Sequence, residues 1–134
     1  TIAFSPELIW ASKFNYNLND KMQLQLISKY VDEQYIDNTS SDDRKLDAYL
    51  VHHGRFIWDI KSSLFKHARL SLQINNLLDE NYVNNAWIYR FKSDGYDPRP
   101  DDAYVTANSD GGYDMAGYFP QAKRNFLFGL TLGF

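Results

Sequence analysis

The stretch RNFLFGLTLGF, Arg124 to Phe134, decides how the rest of the chain is read. Phe126, Phe128, Leu130, Leu132 and Phe134 occupy every second position, with Leu127, Gly129, Thr131 and Gly133 between them. A period of two is the signature of a β-strand whose two faces meet different surroundings. The pattern runs at full amplitude to a terminal phenylalanine, where soluble domains usually fray into polar residues.

Working back from that strand, four more segments alternate in the same way. Leu8, Trp10, Ser12, Phe14 and Tyr16 share a face, as do Met22, Leu24, Leu26, Ser28 and Tyr30. A third set runs Ala48, Leu50, His52, Gly54, Phe56, Trp58 and Ile60, and a fourth is Ala68, Leu70, Leu72 and Ile74. The opposite faces carry Lys13, Lys29, Arg55, Asp59 and Arg69. The predicted strands are about 4–17, 21–31, 47–60, 67–75 and 124–134, an all-β, antiparallel, up-and-down arrangement. Their connections alternate in length: Asn17–Asp20 is tight, Asp32–Lys45 long, Lys61–Lys66 short, and 76–123 very long. Consecutive antiparallel strands place both short turns at one end and both long loops at the other. That asymmetry matches outer-membrane barrels, with short periplasmic turns and long extracellular loops.

A soluble antiparallel sandwich also alternates, with one face in a core. Three features favour a membrane barrel. Charged residues stand opposite the apolar faces, as a wet lumen requires. Trp10, Tyr16, Tyr30, Trp58 and Phe134 lie near strand ends, as in interfacial aromatic girdles. The strands are also longer than the globular mode of about 5–6 residues.

Composition narrows the function. The 134 residues carry a net charge of −3, which argues against a nucleic-acid partner, and they are rich in aromatic side chains, at 16%. There is no cysteine, hence no disulfide and no thiolate metal site. No apolar run reaches the 18 or so residues of a transmembrane helix, but a transmembrane strand needs only about 9–11. The chain begins at Thr1 with neither initiator methionine nor signal peptide, as expected of a mature product or an excised piece.

No catalytic constellation stands out, so an enzyme is not expected, and no cofactor is implied. His52 and His53 point to opposite strand faces and do not share a metal from one face; His67 is isolated from them. Between Asn76 and Ala122 there are eight acidic residues against three basic, a net −5, leaving +2 for the remainder. DGYDPRPDD and NSDGGYD, within that loop, lack the residue order of a calcium-binding EF-hand loop and read as solvated surface. AWIYRF, Ala86–Phe91, reads as a short strand with Trp87, Tyr89 and Phe91 on one side and Ile88 and Arg90 on the other. Trp87, Tyr89 and Arg90 are therefore candidate ligand contacts, the alternative being a hairpin that stiffens the loop.

Two motifs carry a family resemblance. NNLLDENY (Asn75–Tyr82) resembles the N-L-F-D-x-x-Y stretch of TonB-dependent outer-membrane receptors. GYFPQAKRNFLFGLTLGF (Gly117–Phe134) resembles their carboxyl end, and Lys29–Val51 is similar to Bacteroidetes members. Leu78 departs from the commoner Phe, and Lys123 stands where Gly is usual. The resemblance implies the last five strands of a 22-stranded barrel whose plug domain and remaining strands are not in this chain. It implies import of a scarce nutrient, of the iron chelate, haem or cobalamin class. Implied partners are the rest of the barrel and plug, the TonB complex acting through that plug, outer-membrane lipid, a small nutrient ligand and the outer-membrane assembly machinery. Phe126, Phe128, Leu130, Leu132 and Phe134 would form the signal that machinery reads. The rival readings are a soluble antiparallel β ligand-binding module and a truncated, non-transporting barrel piece held by the assembly machinery.

Overall fold

The computed structural model describes residues 2–134, and they divide into two compact units. One unit comprises Leu8–Asp32, Ala48–Asn81 and Ala122–Phe134. It is a single five-stranded sheet of β1 (Ile9–Asn19), β2 (Met22–Val31), β5 (Tyr49–Ile60), β6 (His67–Asn75) and β10 (Asn125–Gly133), in that order. Every neighbouring pair is antiparallel. The sheet is open, with β1 and β10 at its edges. The fold is all-β and antiparallel; the longest helical element among the described residues is the three-residue turn Asp42–Arg44.

Register carries the alternation across all five strands. Tyr16, Leu24, Phe56, Leu72 and Phe128 form one cross-strand row, and Phe14, Leu26, Gly54, Ile74 and Phe126 the next. Trp58, Leu70 and Leu130 continue the same face, followed by Ile60, Ala68 and Leu132. Aromatic and aliphatic neighbours of this kind stabilise a sheet pair by pair. A one-residue slip would exchange the two faces, so the pattern fixes the register.

That apolar face is largely bare. Phe14 is 64% exposed and Phe128 69%, and Trp10, Tyr16, Leu24, Leu26, Leu50 and Leu130 are exposed too. The other face is polar and internally bonded. Arg55 Nε donates to Gln73 Oε1 at 2.9 Å, Gln73 to Asn75 Oδ1 at 2.6 Å, and Asn75 to Asn125 Oδ1 at 2.8 Å. On the β1–β2 side, Gln25 donates to Gln23 and Gln23 to Asn17. Arg69 pairs with Asp59 through both guanidinium arms. Val31, Tyr49 and Val51, at the other end of this face, are buried.

The turns follow from local chemistry. Asn19 Oδ1 accepts the amide protons of Lys21 and Met22, closing the β1–β2 hairpin as an Asx turn. After β6, Asn76 takes a left-handed conformation (φ 51°), which asparagine tolerates better than most residues. It is 2% exposed. Its side-chain amide donates to the Glu80 and Ala122 carbonyls, and its oxygen accepts the Glu80 amide. Asp79 in turn accepts the Arg124 amide. The Asn-Leu-Leu-Asp motif is thus a fixed exit from β6 that holds the chain just before β10.

The second unit is built from residues 2–7, Glu33–Asp47 and Tyr82–Gln121. It contains β3 (Gln34–Tyr35) paired with β4 (Lys45–Leu46), and a three-stranded sheet in the order β7 (Val83–Phe91), β9 (Tyr113–Pro120), β8 (Val105–Ala107). Ile36, Leu46 and Ala86 form its small core, with Val83 and Ile88 packed against them. The long connections expected to be solvated loops therefore contain most of this unit. The first strand begins at Ile9 rather than near residue 4. Pro6 lacks an amide proton, and Phe4, at φ 54°, turns its amide to the Tyr35 carbonyl at 2.9 Å.

Candidate functional site

The acidic character concentrates in the second unit. It holds twelve acidic side chains against five basic, a net −7, whereas the sheet unit holds five against nine, a net +4. Four of the five basic residues are tied internally. Arg44 is the most deeply placed, at 3% exposure. Its Nε and Nη2 donate to Asp114 Oδ2 and Oδ1 at 2.7 and 3.0 Å, and its Nη1 donates to Asp37 at 2.9 Å. Such a bidentate guanidinium–carboxylate pair is strong and directional. Lys45 bridges Glu33 and Asp42, Arg90 pairs with Asp110, and Arg99 with Asp97.

Burial works against ionisation of Asp37. The hydroxyl and amide of Thr39, together with the Arg44 guanidinium, outweigh it and hold its carboxyl below the usual range. Lys45 donates to Glu33 and Asp42, which raise its pKa. Asp114 belongs to a stretch expected to be solvated. It is instead 3% exposed, with the Arg44 guanidinium compensating its desolvation. Among the described residues, no group of three or more His, Asp or Glu side chains has the placement of a metal site.

Strand β7 presents two different surfaces. On one, Trp87 and Tyr89 are exposed. Tyr89, Phe91 and Tyr113 stack with ring centroids 5.9 and 5.7 Å apart and interplanar angles of 21° and 26°. The Trp87 indole lies across Gly117, its cross-strand partner, where any Cβ would collide with it. Trp87 and Tyr89 thus share an aromatic ribbon. Arg90 alternates away from it and is held by Asp110. The three expected ligand contacts are therefore not one cluster.

On the other surface lies a groove of about 760 Å³, which the sequence reading missed. Val83, Ile88, Ala116 and Pro120 give it apolar walls, Tyr104 and Tyr118 are exposed aromatic sides, and Asp43, Thr106, Asn108 and Asp114 are polar. The Asn108 Nδ2 has no hydrogen-bond partner. The only sequence signal was the alternation Asp114, Ala116, Tyr118 in YDMAGYFP, which is too short and polar to stand out.

The proposed assembly residues Phe126, Phe128, Leu130 and Leu132 line the apolar face of edge strand β10 and are all exposed. Phe134 packs edge-on against Phe65 at 5.3 Å. His52 and His53 point to opposite faces. His52 Nδ1 bonds Ser28 Oγ at 2.7 Å on the apolar side, and His53 Nδ1 accepts the Asn76 amide at 3.3 Å. No protein-family model, curated protein or solved structure matches the chain.

Proposed function

We propose that the chain is the carboxyl-terminal barrel section of a TonB-dependent outer-membrane receptor that imports a scarce nutrient. One observation carries this reading: the five-stranded sheet has a bare apolar face and a hydrogen-bonded polar face. A soluble sheet buries its apolar side, since water-exposed apolar area costs about 25 cal/mol per Å². Here Phe14, Tyr16, Leu24, Leu26, Leu72 and Phe128 of the apolar face are exposed. Lipid is the solvent in which that arrangement is stable, and the polar face then lines a lumen.

Dimensions support it. On β5 the apolar face runs from Leu50 to Ile60. Ten steps of about 3.3 Å, tilted by about 45°, give a height of about 23 Å, close to the roughly 25 Å apolar band of such barrels. Trp10 and Tyr30 sit at one end of the band and Trp58 near the other. The row Ser12–Ser28–His52 interrupts the face one step inside Trp10 and Tyr30, and the Ser28–His52 bond satisfies both polar groups there.

In this reading the edges of β1 and β10 pair with other barrel strands, because an open edge is not tolerated in lipid. The two short turns are periplasmic and the two long connections extracellular. Phe126, Phe128, Leu130, Leu132 and Phe134 serve the assembly machinery, and the aromatic ribbon of Trp87 and Tyr89 is available to the nutrient. Full-length receptor in vesicles of brominated lipid, retaining one tryptophan of this chain at a time, tests the arrangement. Trp10 and Trp58 are expected to be quenched by bromine on the acyl chains, while Trp87 is quenched only by aqueous iodide. Equal lipid quenching of Trp58 and Trp87, or none of either, removes the receptor reading in favour of a soluble β module.

A further inference from the structure

We propose that the groove between β7, β8 and β9 binds an uncharged, hydroxyl-bearing ring ligand of the saccharide class. The groove belongs wholly to the acidic unit, and its volume falls within the range of about 300–1,000 Å³ common for small-molecule sites.

Charge excludes the anionic classes. No lysine or arginine lines the groove. The guanidinium bonded to the groove-lining Asp114, that of Arg44, has Nε and Nη2 on Asp114 and Nη1 shared between Asp37 and Thr39. A phosphate, a carboxylate-rich chelate or a porphyrin propionate would enter without a cationic partner, against a unit of net −7. A purely apolar ligand fits poorly as well, since it would desolvate Asp43 without offering it a hydrogen bond.

The lining matches a molecule with an apolar ring face and a polar edge. Val83, Ile88 and Ala116 give a floor for ring C–H groups. Tyr104 and Tyr118 offer ring faces with a hydroxyl at the tip. Asp43 accepts hydroxyl protons. As a statement about the imported nutrient this rests on the receptor reading; as a statement about binding it does not.

The full chain in detergent micelles is titrated with glucose-, xylose- and N-acetylglucosamine-based trisaccharides, and separately with ferric citrate and haem. Saturation-transfer NMR and calorimetry report binding. At least one trisaccharide is expected to saturate, with Tyr118→Ala weakening it about tenfold, Tyr104→Ala and Asp43→Asn less, and Leu64→Ala, an exposed position away from the groove, leaving it unchanged. Tyr104 is so exposed that its loss does not threaten folding. The inference is overturned if no trisaccharide saturates, if ferric citrate or haem competes for the groove, or if Tyr118→Ala and Tyr104→Ala both leave binding unchanged. Saccharide binding by a chain that fails the brominated-lipid test would leave the groove standing and remove the receptor.

Discussion

The two units solve the burial problem in opposite ways. The sheet unit keeps its apolar side chains outside and bonds its polar ones to each other. The loop unit has a small conventional core of Ile36, Leu46 and Ala86, locked by the buried ion pair of Arg44 and Asp114. Under the proposed receptor reading, the first meets lipid on one face and the second meets water. The boundary follows connection length: the unit with its own core draws most of its residues from the long connections.

The contrast is most exposed at Arg44. Arg44→Ala leaves Asp114 buried without its counter-charge, and the expected loss is about 3–5 kcal/mol, confined to the loop unit. Hydrogen exchange should show protection falling across β7 and β9 while β5 and β6 keep theirs. Uniform loss in both units would mean that they unfold together. Replacing the pair by Met and Leu should recover much of the protection, because the cost lies in the orphaned charge.

Asn76 is the corresponding test on the sheet side. Asn76→Ala removes three hydrogen bonds around a buried left-handed residue, at an expected cost of about 2–3 kcal/mol. Asn76→Gly keeps the conformation and should lose less. Urea unfolding of both variants orders them. Equal losses would assign the whole effect to the hydrogen bonds and none to the backbone.

A smaller effect is expected at Gly117. Gly117→Ala pushes the Trp87 indole off the strand, at about 1–3 kcal/mol. Adding Trp87→Ala should relieve most of the strain, which a double-mutant cycle measures.

Acid sharpens the comparison further. Asp37 has its folded pKa lowered, so its contribution is present above the ordinary aspartate value of about 3.9 and is lost as pH falls through the lower folded value. The loop unit should therefore loosen as pH falls through that value, which Trp87 fluorescence reports. Asp37→Asn should flatten this dependence.

Sequence patterning made the sheet readable because alternation is a local property and each strand repeats it for nine residues or more. The loop unit was less readable for a physical reason. Its lock joins Arg44 to Asp114 across 70 residues, and nothing near either residue distinguishes a buried carboxylate from a solvated one. β9 was hidden because Gly117 and Pro120 look like loop residues. Gly117 is required by the indole lying over it, and Pro120 ends the strand. The ligand residues divided similarly: β7 was expected over Ala86–Phe91, but the groove depends on β8 and β9 coming alongside it.

The central claim, that the bare face meets lipid, is tested most directly by spin labels placed singly from Arg69 to Asn75 in the full-length receptor reconstituted into vesicles. Oxygen accessibility is expected to peak at positions 70, 72 and 74, and accessibility to a water-soluble nickel chelate at 69, 71 and 73, with a period of two. The reverse phase, or an even-numbered face inaccessible to both reagents, would contradict the account.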